Sequence, residues 1–165
     1  MLETGLQKVI SDFKSCVFDV STLTTLQFQE VADKFCWLLF CQQARIPKDE
    51  RRNCFIIFEE AQIVMPQGVL NSKRLQNISK VLTVGRNFKI RMGAITQFAA
   101  SVDKGVVKYA KQRYFGWTDE MNDRKYISKF IGEEAETLAN LQTLEFIYYF
   151  PTEKILQPIK VQPRW

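Results

Sequence analysis

Short, nearly continuous apolar runs alternate along the chain with longer stretches in which apolar residues recur at helical spacing. The runs "CVFDV" (16–20), "CFIIF" (54–58), "RMGAITQ" (91–97) and "YFGWT" (114–118) predict buried strands. Between the first two, "STLTT" predicts a capped turn into a helix from Leu26 to about Ala44. Its stripe carries Phe28, Val31, Phe35 and Leu38 or Leu39, with Gln27, Glu30 and Lys34 off it. Pro47 and "KDERR" break the chain before the second strand. "MPQG" leads into a second helix striped by Leu75, Ile78, Val81 and Leu82, with Gly85 placed as its stop. "DEMNDRKYISKFI" and "EEAETLANL" predict further helices, "TGLQKVIS" a helix near the start, and "EFIYYF" with "KILQPIKVQ" a C-terminal hairpin turning at "PTEK".

Strands alternating with helices predict an α/β fold with a mostly parallel sheet flanked by helices. Such sheets gather functional groups just beyond the C-terminal ends of their strands. Asp19, the pair Glu59 and Glu60, and the pair Thr96 and Gln97 all follow apolar runs in this way. Three polar strand ends on one edge predict a site there.

The 165 residues, 46% of them hydrophobic, suffice for one core and predict a single domain over 1–165. No apolar run approaches the roughly 20 residues of a membrane span, and the N-terminus lacks the pattern of a signal peptide, so the expected location is the cytoplasm. Cys16, Cys36, Cys41 and Cys54 lack metal-type spacing, and three of them sit in apolar runs, where a free thiol packs as a small hydrophobe. The net charge of +5 favours polyanions only weakly. The absence of histidine is more restrictive: it removes Ser-His-Asp and Cys-His catalysis and histidine metal sites.

"FIIFEEAQ", followed by a helix ending in "VGRNFKIRMGAITQ", resembles the HerA/FtsK superfamily of P-loop ATPases. In that family a hydrophobic strand ends in Asp or Glu followed by Glu-Ala, a Gly-Arg pair comes later, and a neighbouring strand ends in Thr-Gln. "VFDVSTLT" and the segment from "SVDKGVV" to "KFIG" are similar to the same pattern, so the resemblance spans roughly residues 16 to 150. It implies a RecA-like core with ATP and Mg²⁺ as cofactors. It also implies Glu59 as the metal carboxylate, Glu60 as the base that activates water, and Gln97 as the sensor of the γ-phosphate or the water. Arg86 is implied as an arginine that reaches the next subunit's site. Glu59 departs from the commoner Asp at the metal position.

No G-x-x-x-x-G-K-[ST] loop is present, and none of the glycines is followed by lysine. The expected core therefore lacks its first strand and phosphate loop, which in the family would lie upstream of Met1. Three explanations stay open: a portion of a longer ATPase, a loop supplied by another chain, or a degenerate relative. The leading functional expectation is the catalytic-core portion of an ATPase, impaired in nucleotide binding as an isolated chain, that moves or packages double-stranded DNA as a hexameric homo-oligomer. The resemblance suits a virus or plasmid of an archaeon, hence the host cytoplasm. The basic run Lys104, Lys108, Lys111 and Arg113 is a candidate DNA contact, and a solvated helix face is the alternative. The competing function is a non-enzymatic scaffold or regulator of an intact ATPase. A Mg²⁺-dependent nuclease built on Glu59 and Glu60 is a third reading; it usually needs further converging carboxylates and a lysine.

Overall fold

A computed structural model of the chain describes residues 2–12, 15–68 and 73–162. These residues divide into two compact units, one running up to Gln97 and including Val102–Val106, the other comprising Phe98–Ser101 and the chain from Val107 onward.

In the first unit, α1 (Leu2–Asp12) and α2 (Thr25–Arg45) precede β1 (Cys54–Phe58), a single turn α3 (Ala61–Val64), α4 (Gln76–Val84) and β2 (Ile90–Ala94). β1 and β2 pair in parallel, Cys54 opposite Ile90 and Phe58 opposite Ala94. A parallel pair needs a crossover, and the segment containing α3 and α4 provides it. Ile56, Phe58 and Ile90 of the sheet pack with Cys36, Leu39 and Phe40 of α2 and with Ile78 and Val81 of α4 in one core.

α2 starts where its sequence says it should. Thr24 caps the helix by accepting from the Gln27 backbone N–H at 3.3 Å, and the Gln27 side chain accepts from the Thr24 N–H at 2.9 Å, a complete capping box. Its buried face is centred to one side of the expected stripe, whose Leu39 is in the core and whose Phe28, Phe35 and Leu38 pack against it. Ala32, Asp33, Cys36, Leu39, Phe40 and Gln43 are buried, whereas Phe28, Val31, Phe35 and Leu38 are only partly so. The face is turned because polar side chains on α2 satisfy backbone groups of other elements. Gln29 Nε2 donates to Ile63 O at 2.7 Å, and Gln43 Nε2 donates to Arg52 O at 2.5 Å. Asp33 accepts from the Asn77 and Ile78 N–H groups at 2.9 and 3.0 Å and so caps the first turn of α4 from another helix.

Other expectations are corrected. Residues 16–20 form no strand: Val17 is 96% exposed, and Asp19 makes a local turn by accepting from the Ser21 N–H at 2.9 Å. That hydrogen bond also holds its carboxyl below the usual value. A run of apolar residues becomes a strand only where a neighbouring strand takes its N–H and C=O groups, and β1 pairs with β2 alone among the described residues. Gly85 does end α4, as its C-cap, but without the left-handed backbone that usually suits glycine there. Its φ of −53° is helical, the chain continues through a 3₁₀ turn (Gly85–Phe88), and the left-handed residue is Lys89. Gly85 is there for space: a Cβ would lie 3.1 Å from Ile90 O and 3.2 Å from Val81 Cγ1.

The second unit corrects the parallel-sheet expectation. β3 (Arg113–Phe115), β4 (Glu145–Phe150) and β5 (Ile155–Lys160) form an antiparallel sheet in the order β3-β4-β5. The expected hairpin is present with its turn at Pro151–Lys154, and β3 pairs with β4, Tyr114 opposite Tyr148. Hydrogen bonding to a hairpin strand makes β3 antiparallel, a choice that its own residues do not encode. α6 (Met121–Ile131) forms as expected, while residues Gly132–Asn140 wind as 3₁₀ rather than α-helix. Ile127, Ile131, Ala135, Leu138 and Ile147 make this unit's core. The fold is thus α/β, with a two-stranded parallel sheet and a three-stranded antiparallel one.

Candidate functional site

β1 and β2 end side by side, and the chain leaving each is tied to the other. Ile95 N–H donates to Phe58 O at 2.9 Å, and Ala61 N–H donates back to Ile95 O at 2.8 Å. Between these bonds lie Glu59 and Glu60. Glu60 takes the left-handed conformation, φ 50° and ψ 48°, which costs a residue with a Cβ about 1 kcal/mol or more. The two strand-end bonds and the Ile63 N–H to Glu60 O bond of 2.8 Å hold it there. Such a conformation persists where its surroundings over-determine it, a situation common at functional sites.

The turn directs the Glu60 side chain to the tip of β2. Gln97 Nε2 donates to Glu60 Oε1 at 3.0 Å. Gln62 Nε2 donates to Glu60 Oε2, and Thr96 Oγ1 donates to Gln62 Oε1. A carboxylate only accepts, so the Gln62 nitrogen must face Glu60 and its oxygen must face the threonine hydroxyl. Glu60 is partly buried, whereas Glu59 and Gln97 are exposed. α3 is fastened behind the site by the Gln29 bond to Ile63 O.

Glu59 and Glu60, with Gln97, are therefore brought together as a polar tip on adjacent parallel strands. Arg86 is not part of it. It lies exposed in the 3₁₀ turn before β2, at the end of the sheet where Cys54 N–H meets Lys89 O at 2.9 Å. Five residues of strand, about 16 Å, separate that end from the carboxylates. Arg51 fixes the turn carrying Arg86: its Nη1 donates to Asn87 O at 2.9 Å, its Nε to Ile46 O at 3.0 Å, and its guanidinium stacks 4.8 Å from the Phe88 ring centre.

Lys104 and Lys108 are exposed one helical turn apart on α5 (Lys104–Tyr109), and Lys111 is exposed just beyond it. Arg113 differs in kind. Its guanidinium carbon lies 4.7 Å from the Phe130 ring centre and 5.4 Å from that of Tyr149, and its buried Nε has no hydrogen-bond partner. Burial lowers its pKa from the ordinary arginine value, an effect that Tyr149 and Tyr126 oppose. Asp19, in its local turn, takes no part in the strand-tip network.

Sequence reasoning named Thr96 only as a strand end and gave Gln62 no role. The signal for Gln62 lies in "EEAQ": a residue two beyond a left-handed glutamate can turn back onto it, but only the turn geometry reveals that.

The donor set bears on which cation fits. No group of three or more Asp, Glu, Cys or His converges among the described residues, so an all-protein cage of the Ca²⁺ kind has no candidate there. An exposed carboxylate at a strand tip, Glu59, suits Mg²⁺, which keeps most of its water shell. No helix among the described residues is long and apolar enough to cross a membrane.

The fold is similar to that of viral genome-packaging NTPases. The chain superposes on NTPase B204 of Sulfolobus turreted icosahedral virus 2 in complex with AMPPCP with a TM-score of 0.65 at 21% identity, covering 80% of this chain and 63% of that one. For the same NTPase in complex with ATP-gammaS the TM-score is 0.67 at 20% identity, covering 92% and 70%. For B204, the DNA-packaging ATPase of Sulfolobus turreted icosahedral virus, it is 0.61 at 20% identity, covering 87% and 64%. The chain thus spans less than two thirds of the length of the first of these structures. No family model and no curated protein sequence matches it.

Proposed function

We propose that residues 1–165 are the hydrolytic portion of a single HerA/FtsK-like ATPase domain that couples ATP hydrolysis to translocation or packaging of double-stranded DNA. The observation that carries this reading is the Gln97 to Glu60 hydrogen bond between the C-terminal tips of two parallel strands. A base and a phosphate-sensing amide have to share one water and one phosphoryl group, and neighbouring strand tips in register allow that. The packaging NTPase of similar fold, seen in complex with two ATP analogues, supports the same assignment.

In this reading Glu60 accepts the proton of the attacking water, and Gln97 donates a hydrogen bond to the γ-phosphate or the water. Glu59 is the residue that would hold Mg²⁺, through its water shell. The ion, when bound, neutralises charge on the phosphates. Arg86 serves the nucleotide site of a neighbouring subunit in a hexameric ring, since it stands at the far end of the sheet from its own chain's carboxylates. Lys104, Lys108 and Lys111 contact DNA phosphates. Arg113, enclosed by aromatic rings, is better suited to holding α6 against the antiparallel sheet. In a virus or plasmid of an archaeon, the site of action is the host cytoplasm.

The test is DNA-stimulated ATP turnover by the natively assembled protein, with and without Glu60→Gln. Loss of turnover by roughly 100-fold or more, with nucleotide binding kept, is the outcome for a general base. Turnover that is absent, or indifferent to Glu60→Gln, would establish the non-enzymatic scaffold in its place. The isolated chain, without a phosphate loop, is expected to bind ATP weakly or not at all, and saturable hydrolysis by it would overturn that expectation.

A further inference from the structure

The two oxygens of Glu60 are held in different ways. Oε1 meets the amide of Gln97, an exposed residue beyond the tip of β2. Oε2 meets the amide of Gln62, which is partly buried and is itself gripped from behind by the hydroxyl of Thr96. Gln62 also belongs to α3, which is bonded to α2 through Gln29 and to the strand tips through Ala61. One oxygen is therefore fastened to packed elements, and the other to a side chain that solvent reaches.

We propose that Gln62, oriented by Thr96, is a positioning residue that anchors Oε2 of Glu60, while Oε1 is gated by Gln97. The proposal rests on the hydrolytic reading of Glu60. Without nucleotide, Gln97 occupies Oε1. When a γ-phosphate is present, its oxygens compete for the Gln97 amide, and Oε1 is released to the attacking water. Oε1 then takes the proton that the water loses as its oxygen bonds to phosphorus and the bond to the β-phosphate oxygen breaks. The anchored Oε2 keeps the carboxylate from swinging during this exchange. A carboxylate on an unanchored side chain would spread over several rotamers, and catalytic positions tolerate little such spread. The left-handed backbone at Glu60 serves the same end, because it brings Gln62 round to the carboxylate from only two residues away.

Two experiments test this together. In the first, side-chain amide ¹⁵N–¹H signals of Gln62 and Gln97 are followed in the full chain. Thr96→Val is expected to shift the Gln62 amide and leave that of Gln97 in place, Thr96→Ser is expected to restore it, and Glu60→Ala is expected to move both toward solvated glutamine. A Gln62 signal indifferent to Glu60→Ala, or to the loss of the Thr96 hydroxyl, overturns the anchor. In the second, ATP turnover of the native assembly is measured for Gln62→Met, Thr96→Val and Thr96→Ser beside Glu60→Gln. Gln62→Met and Thr96→Val should lower kcat roughly 10- to 100-fold with KM little changed, the size typical of residues that orient a catalytic group, and Thr96→Ser should recover most of it. If Glu60→Gln abolishes turnover while Gln62→Met leaves kcat intact, the anchor fails and the hydrolytic reading stands. Where Glu60→Gln itself has no effect, or the assembly turns over no ATP, the hydrolytic reading fails and takes the proposal with it, even with the amide signals as expected.

Discussion

Arg86 and Glu60 stand at opposite ends of the same pair of parallel strands, Arg86 before β2 begins and Glu60 after β1 has ended. No side-chain rotation brings a guanidinium across about 16 Å of sheet to its own chain's carboxylate. If both act on one nucleotide, they must come from different subunits. Assemblies made only of Arg86→Ala chains or only of Glu60→Gln chains are then expected to be inactive, whereas a mixture regains turnover. In an equimolar random ring about one site in four pairs an intact Glu60 with an intact Arg86 from the neighbour. Mixed-assembly ATPase assays measure this, and a mixture as inactive as its components would place Arg86 outside the reaction.

Asp33 is 8% exposed and receives two backbone N–H groups of the first turn of α4 together with the Asn77 side-chain amide, which lies 2.6 Å from Oδ2. Removing it leaves those donors buried and unpaired. Asp33→Ala is expected to destabilise the protein by about 2–4 kcal/mol in urea unfolding, and Asp33→Asn by less, since an amide oxygen still accepts. A loss below about 0.5 kcal/mol for Asp33→Ala would mean that water replaces the cap.

Cys36 is fully buried in α2, and burial, with a smaller contribution from the charge of Asp33, pushes its thiol far above the ordinary value of 9.0. The unfolded chain therefore releases this proton at lower pH than the folded one. The stability contributed by the neutral thiol is whole below the ordinary value and drains away as pH rises past it. Between about pH 8 and about pH 10, wild type should lose about 1 kcal/mol more stability than Cys36→Ala. Parallel pH profiles for the two proteins would count against burial of the thiol.

The basic run separates into two kinds of residue. Substituting Lys104, Lys108 and Lys111 by Glu is expected to weaken DNA binding and to reduce the slope of log affinity against log salt by about 3, without unfolding the protein. Arg113→Ala is expected to do the reverse, costing about 1–3 kcal/mol of stability through lost stacking on Phe130 and Tyr149 while leaving the salt slope alone. Filter binding across a salt series, set beside urea unfolding, distinguishes the two.

Much of this protein is local in origin and was legible in its residues alone. The capping box at Thr24 and Gln27, the strand "CFIIF", the stripe of α4 and the hairpin at "PTEK" depend on nearest neighbours and on periodicities of 3.6 and 2. The placing of Glu59 with Glu60, and of Gln97, just beyond strand ends follows from the same local pattern. What tertiary structure decided is which groups answer one another across distance. Asp33 and Gln29 look like ordinary surface residues of a helix, and they are buried because backbone groups of α4 and α3 are 44 and 34 residues away in sequence and adjacent in space. "CVFDV" has strand composition and forms no strand, because a ladder needs a partner that composition cannot supply. "RYF" pairs antiparallel, because direction belongs to the neighbour. Gln62 becomes part of the site through a single left-handed residue, Glu60, whose neighbours Phe58 and Ala61 are hydrogen-bonded to Ile95 just beyond β2. Side-chain periodicity is written in each segment, whereas the satisfaction of buried polar groups is settled only when segments meet.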